Sequence, residues 1–315
     1  MEKLRKLFFD PVVHKYTDEF GNEYTSMTTC IKHYTEDFKK VDIARACEKI
    51  GRNPNHPKYE KYKNKTAKQL MYEWDKTAKD ACEKGTLKHN YLEEIIKNST
   101  NYVSALKKYT GTRIYTIQDI IEDHEFGEID LNYFIESGLP SKYPSIYTII
   151  ETLHKQGYRF YAEIAVFDPD RLISGLVDLL AVDHNAKQFF IIDWKTNRAT
   201  ITFKSGYFEK DSKGELTENF IEKNDYFCPP VDSIPDSIGH KYSMQLSGYA
   251  ALIELYGFKN KGNIICHIQE KKDIIGNPIE IVNTVVAKDL REQAIIMFND
   301  YHYNRQIKTN KKLFL

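Results

Sequence analysis

Residues 158–196 read YRFYAEIAVFDPDRLISGLVDLLAVDHNAKQFFIIDWKT. Three β-prone runs, Tyr158 to Phe167, Ile173 to Val182 and Gln188 to Asp193, are separated by Asp168-Pro169-Asp170 and Asp183-His184-Asn185, both strong turn signals. The stretch predicts a three-stranded meander. Asp178 and Asp193 are 15 residues apart, enough for one strand to finish, turn and return alongside itself, so both carboxylates can meet at one end of a sheet. In Asp193-Trp194-Lys195 the period of two of a strand puts Asp and Lys on one face and Trp194 on the other. Two acids and a lysine would converge. Oxygen ligands of this kind suit Mg²⁺ or Mn²⁺, which keep several waters and bridge to phosphate. A nearby lysine can orient or help deprotonate a water beside the metal and balance charge building on the phosphate.

Upstream, FFDPVVHKYTDEFGNEYTSMTTCIKHY (8–34) has two β-prone stretches around Glu19-Phe20-Gly21-Asn22, then Ser26 and Thr28 before a helix-like run. It reads as a hairpin followed by a capped helix. From about residue 39 to 155 the helical pattern dominates, with Lys68 to Glu83 and Thr86 to Lys97 expected as two segments broken near Gly85. Downstream, residues 200–238 form a polar stretch with Gly206, Gly214, Pro229, Pro230 and Pro235. It is too long for an ordinary connection, and is expected to be a functional lid or a partly mobile insertion. His240 to Tyr256 reads as a helix, Gly262 to Gln269 and Pro278 to Val286 as strands, and Lys288 to Arg305 as a closing helix. One domain over 1–315 is expected, with a hairpin and helical region to residue 156 and a core from 157 to 315.

At 41% hydrophobic and 13% aromatic, the chain has material for a core, which excludes a disordered or fibrous protein. The 45 basic and 45 acidic side chains cancel, which argues against a protein that coats nucleic acid by bulk charge. The zero total hides patches of both signs: residues 51–88 carry ten Lys/Arg against five Asp/Glu, and residues 119–130 hold six acids and no base. No apolar run approaches the roughly 18 residues of a membrane span, and the start lacks the apolar stretch of a signal peptide. The expected address is intracellular, in the cytoplasm of a bacterial or phage-infected cell, with no membrane partner and no secretion. The five cysteines lie far apart without a C-x-x-C pair, so neither a zinc ribbon nor an iron–sulfur cluster is expected.

Gly175-x-x-Asp178, Asp193-x-Lys195-Thr196 and Gln245-x-x-x-Tyr249, in that order, resemble the PD-(D/E)XK nuclease superfamily and, within it, the RecB-like branch. Gly85-Thr86-Leu87-Lys88-His89 is similar to that branch's Gly-x-x-x-His element, and Glu163 sits where a strand glutamate often precedes Gly-x-x-Asp. His14-Lys15-Tyr16 and Tyr24-Thr25-Ser26-Met27-Thr28 look similar to the start of phage-type and mitochondrial genome-maintenance exonucleases. The resemblance implies an α/β, restriction-endonuclease-like core with a central mixed β-sheet flanked by helices and a helical N-terminal region. It implies that Asp178 and Asp193 hold Mg²⁺ or Mn²⁺, that His89 is a further ligand, and that Lys195 assists the attacking water. Gln245 would contact water, metal or substrate. Glu163 would be a ligand, an acceptor behind one, or a solvent-facing strand residue.

Contacts to DNA are expected from Tyr249, one turn beyond Gln245, and from Thr196 and Arg198 after the catalytic strand. Ser26 and Thr28 cap a helix or touch the DNA backbone. The lysine-rich run from Lys58 to Lys88 is either a solvated face or the wall of a DNA groove. Trp74, Trp194, His14, His33, His154 and His240 are expected to be structural. The implied activity is exonucleolytic hydrolysis of single-stranded DNA or DNA with free ends, in recombination, repair or replication. No helicase P-loop is present, so an unwinding motor or recombination partner would be a separate protein. The same core would also serve a structure-specific or site-specific endonuclease, or a nucleic-acid-binding protein that has kept only the fold.

Overall fold

The structure, a computed structural model, describes residues 6–10, 12–13, 15–100, 114–122, 126–211 and 214–313. His14 and part of the acidic run at 119–130 lie outside these residues. Three short strands open the chain: β1 (Leu7–Asp10), β2 (Lys15–Asp18) and β3 (Glu23–Ser26). Helices α1 (Met27–His33), α2 (Lys40–Ile50), α3 (Tyr59–Tyr62), α4 (Ala67–Ser99), α5 (Ile117–Glu122), α6 (Leu131–Glu136), α7 (Leu139–Lys142) and α8 (Pro144–Lys155) follow. The second half runs β4 (Arg159–Asp168), β5 (Ile173–Asp183), β6 (Gln188–Lys195), β7 (Gly206–Lys210), β8 (Leu216–Glu222), α9 (Ile238–Glu254), β9 (Lys259–Lys272), β10 (Pro278–Val286) and α10 (Arg291–Leu313).

The expected meander is present, because β4, β5 and β6 are apolar at nearly every position and turn at the Asp-rich junctions. Buried on both sides, they form the middle of a mixed sheet ordered β1-β2-β3-β5-β6-β9-β10, with β4 paired to β5. The β4–β5, β5–β6 and β9–β10 pairs are antiparallel, whereas β3–β5 and β6–β9 are parallel. Since β4 follows one edge of β5 from Ile173 to Val182, β3 and β6 must share the other edge. There β3 pairs with Ile173 and Ser174, and β6 with Leu179 to Asp183. Gly175 to Asp178 lie between.

Helices cover both faces. One core joins the sheet to α1, α9 and α10 through residues such as Cys30, Leu246, Ile253 and Met297. The other joins it to α4, α6 and α8 through Leu92, Ile96, Phe134 and Ile150, and takes in Trp194. Each fully buried Leu, Ile or Phe in these layers contributes roughly 1.5–3 kcal/mol. Among the described residues no helix is long and apolar enough to cross a membrane.

Two expectations change. The break near Gly85 does not occur, and α4 runs unbroken from its capping box, in which Thr66 and Gln69 satisfy each other's backbone N–H. Glycine there costs about 1 kcal/mol of helix propensity, but a Cβ would stand 2.8 Å from Thr196 Oγ1, so the residue lets α4 close on the end of β6. The described residues of 200–238 have defined structure: β7 pairs with β8, and the return leg is rooted by buried Phe227, Val231 and Ile234 and by the Cys228 N–H donating to Tyr34 O at 2.7 Å. Trp74 packs on Phe38 at 6.0 Å between ring centroids, and His240 Nδ1 lies 2.8 Å from the capping Ser237 Oγ, both structural roles.

Candidate metal centre at the fork of the sheet

Alternation along β4 and β5 reverses at one row. Phe160 and Ala162 face the α4 side, yet Ile164 and Val166 face the α9 side. On β5, Val177 faces the α9 side and Leu179 the α4 side, although residues two apart in a regular strand share a face. The exchange falls at Glu163, whose φ of 54° is left-handed, and at Asp178, which stands opposite it between the pairs Ala162–Leu179 and Ile164–Val177. A non-glycine residue in that conformation costs of order 1–3 kcal/mol, a strain typical of functional sites.

At the same level β6 leaves β5. Their last bonded pair is Leu179–Ile192, and beyond it the Trp194 N–H donates to Asp178 Oδ2 at 2.8 Å. The sheet forks here. Glu163, Asp178 and Asp193 are left in one row across three strands. Lys195 joins them, with Nζ 2.6 Å from Asp193 Oδ2, while Trp194 points into the opposite core, as the period of two requires.

Burial decides the electrostatics. Asp193 is 1% exposed; burial pushes its carboxyl up to about 7, with Lys195 pulling the other way and Asp178 adding to the rise. Burial, then the charges of Asp178 and Glu93, push Glu163 up to about 9. Burial also opposes the Lys195 ammonium, but Asp193 and Asp178 outweigh it and hold its pKa above the ordinary lysine value. The lysine stays charged, and the carboxylates resist ionising together. Tyr242 of α9 covers the lysine, its ring centroid 4.8 Å from Nζ and its hydroxyl donating to Asn197 Oδ1 at 3.0 Å.

His89 arrives from α4 over the sheet end, its Nδ1 3.6 Å from Asp178 Oδ2. Gln245 Nε2 donates to the Tyr249 hydroxyl at 2.9 Å. A Cβ on Gly175 would stand 2.1 Å from the Tyr249 ring, so the glycine of Gly-x-x-Asp is the vacancy that Tyr249 fills.

These residues fit a hard divalent cation. Three carboxylates and an imidazole lie around one lysine, and the Glu163 and Asp193 carboxyls are raised first by burial, with the neighbouring carboxylates adding to the rise. Buried Asp193 Oδ2 lies 2.6 Å from Lys195 Nζ and has no further partner, so a lone pair is left that a cation would satisfy. Among the described residues no three such side chains already have their donor atoms gathered for an ion.

The remaining expected contacts are distributed unevenly. Ser26 caps α1, accepting from Thr29 N at 3.2 Å. It is also in register with Ser174 beside Gly175, so it and Thr28 border the open stretch of β5. Thr196 lies under Gly85. Arg198 is turned to Glu215 of the insertion. Tyr249 is taken inside: at 3% exposure it packs over Gly175 instead of lying on the surface, because the α9 face it occupies is the one pressed on the sheet. The lysine-rich run is neither a free face nor a uniform groove wall. Lys88 Nζ lies 3.2 Å from Glu270 and 2.8 Å from Glu280, and Lys84 Nζ 3.1 Å from Glu270, so these lysines clasp α4 to β9 and β10.

Sequence reasoning missed Tyr242, Glu93 and Tyr16, whose hydroxyl is pushed up to about 12 by burial and by Glu163. A signal existed for the first: Tyr242, Gln245 and Tyr249 follow the i, i+3, i+7 stripe of one helix face. No protein-family model matches this chain, and no curated protein matches it.

Proposed function

We propose that the protein is a metal-dependent deoxyribonuclease of the PD-(D/E)XK superfamily, with a restriction-endonuclease-like core, acting as an exonuclease on single-stranded DNA or DNA with free ends. One observation carries the reading: Asp178, Asp193 and Lys195 meet on one face where β5 and β6 part, with Glu163 and His89 beside them. A Mg²⁺ or Mn²⁺ ion held by Asp178 and Asp193, with Glu163 and His89 in reach, would activate water and neutralise phosphate charge. The charged Lys195 donates to a phosphate oxygen as negative charge builds. Gln245, its Nε2 committed to Tyr249, keeps Oε1 to accept from a water. Tyr242 and the buried strands exclude bulk solvent around these groups.

Limited exposure supports a single strand as substrate. The side chains of Asp178 and Lys195 are 14% and 16% exposed, and a flexible strand adapts to such recessed groups more readily than a rigid duplex. α4, clasped across the sheet end, supports threading from a free end. The test is digestion of end-labelled single- and double-stranded DNA and of covalently closed circles with Mg²⁺ or Mn²⁺, wild type beside Asp178→Ala. Linear single strands should be degraded, circles spared, and the variant slowed by at least about 10²–10³-fold. Rapid cutting of circles would sink the exonuclease assignment. A wild type that cuts no DNA, or full activity in Asp193→Ala and Lys195→Ala, would sink the nuclease reading altogether.

A further inference from the structure

We infer that the cleft between α3 and the β7–β8 hairpin is a nucleotide subsite, in which a phosphate of the single DNA strand is held by Lys61 and Lys210 and its base lies on the aromatic wall of the hairpin. The inference rests on the nuclease reading and adds to it a place for the strand away from the cut.

The cleft has a volume of about 430 Å³, within the roughly 300–1,000 Å³ of small-ligand pockets, which suits one nucleotide unit and is too small for a duplex. Its walls carry Lys58, Lys61, Lys204 and Lys210 against one acid, Glu209. Lys204 is occupied by Glu222 at 2.9 Å, and Lys58 reaches Glu209 only at 4.0 Å. Among the described residues no carboxylate forms an ion pair with Lys61 or Lys210. Lys61 Nζ instead rests 3.4 and 3.5 Å from the carbonyl oxygens of Lys210 and Asp211. Burial first, then the charges of Lys210 and Lys58, hold the Lys61 ammonium below its ordinary pKa, against a smaller opposing pull from Asp211. A cationic cluster that lacks its anion is what a phosphate would complete.

The opposite wall is apolar: Tyr207, Phe208, Leu216 and Phe220. Tyr207 is 46% exposed, with Lys223 Nζ 5.7 Å from its ring centroid on one side, and stacking of a base on such a ring strengthens binding roughly tenfold per base without reading its sequence. The cleft is also next to the metal centre by two routes. Ala199 on its wall is four residues after Lys195, so chain length limits the separation to about 14 Å. Ile238, also on the wall, precedes Tyr242 by four residues on α9, about 6 Å along the helix, and Tyr242 covers Lys195.

The experiment measures binding of oligothymidylates of about 4 and about 16 nucleotides, the span of ordinary single-strand site sizes, by fluorescence anisotropy in EDTA over a range of salt. Wild type, Lys61→Ala/Lys210→Ala, Tyr207→Ala and a surface control, Lys155→Ala, are compared after their melting curves are shown to agree. Each phosphate contact adds about 0.7 to the slope of log affinity against log salt for a single strand. The double variant removes that one contact and should therefore lose about 0.7 from that slope with the long strand, and Tyr207→Ala should lose affinity with the slope unchanged. Equal slopes in wild type and double variant, an equal loss in Lys155→Ala, or thymidine monophosphate competing as well as the long strand would overturn the subsite. Cleavage by wild type with Mg²⁺ or Mn²⁺ is scored separately. A wild type that cuts but shows no slope difference refutes the subsite alone, and one that shows the slope difference but cuts nothing refutes the nuclease reading alone.

Discussion

Glu163→Gln should stabilise the metal-free protein at alkaline pH and leave it unchanged at acid pH. Burial and the neighbouring carboxylates push the folded Glu163 carboxyl up to about 9 from an ordinary 4.5. Below 4.5 the folded and unfolded chains both carry the proton. As pH rises from there towards 9, the unfolded chain ionises while the folded one holds its proton, so the stability owed to this group is progressively lost. At pH 8 the full shift would amount to about 5 kcal/mol; sharing of charge among Glu163, Asp178 and Asp193 reduces this to an expected ~2–4 kcal/mol. Asp193, raised to about 7, works in the same direction between its ordinary value and 7, and remains in both proteins. Glutamine keeps the shape and the left-handed backbone without the charge. With an unfolding entropy of about 2.1 cal/mol/K per residue, the gain corresponds to roughly 3–6 °C in Tm. Calorimetric melts in EDTA at pH 5 and pH 8 provide the check, with variant and wild type expected to agree within about 1 °C at the lower pH. Saturating Mg²⁺ or Mn²⁺ at pH 8 should then raise the wild type more than the variant, since an ion bound only by the folded chain at 100 times its Kd adds about 2.7 kcal/mol. A difference between the two proteins that does not change with pH, or a glutamine variant less stable at pH 8, would show that Glu163 is comfortably ionised and would refute the crowding argument.

Gly175→Ala places a methyl 2.1 Å from the Tyr249 ring and should cost about 1–3 kcal/mol. Tyr249→Leu in the same chain should recover part of that loss, and strictly additive urea-melt values would show that the two residues do not compete for the space. Lys88→Met removes the ammonium between Glu270 and Glu280, where the side chain is 13% exposed, and should cost about 1–3 kcal/mol. Hydrogen exchange should show α4 loosening near its middle first; unchanged protection there would refute the clasp. Thr196→Ala should make Gly85→Ala tolerable, because Thr196 Oγ1 is the atom the new methyl would meet. The paired variant is expected to be more stable than Thr196→Ala alone by about 1 kcal/mol of helix propensity, and a less stable pair would mean that Gly85 is required for another reason.

The amino-acid order by itself determined the meander, the cap at Ser26 and the shared face of Asp193 and Lys195. Each follows from local rules: a period of two, turn residues at the Asp-rich junctions, a hydroxyl ahead of a helix. Those rules report what neighbours along the chain do, and they also placed Asp178 and Asp193 at one sheet end, since a hairpin joins them. Only the tertiary structure decided that the strands fork at Asp178, that Glu163 turns left-handed and is largely enclosed there, and that Tyr249 fills the space over Gly175. It alone made α4 continuous and spent Lys84 and Lys88 on Glu270 and Glu280. The reason is distance along the chain. Gly85 meets Thr196, Gly175 meets Tyr249 and Lys88 meets Glu280, and whether a glycine breaks a helix or a lysine stays free depends on a residue that no local pattern brings into view.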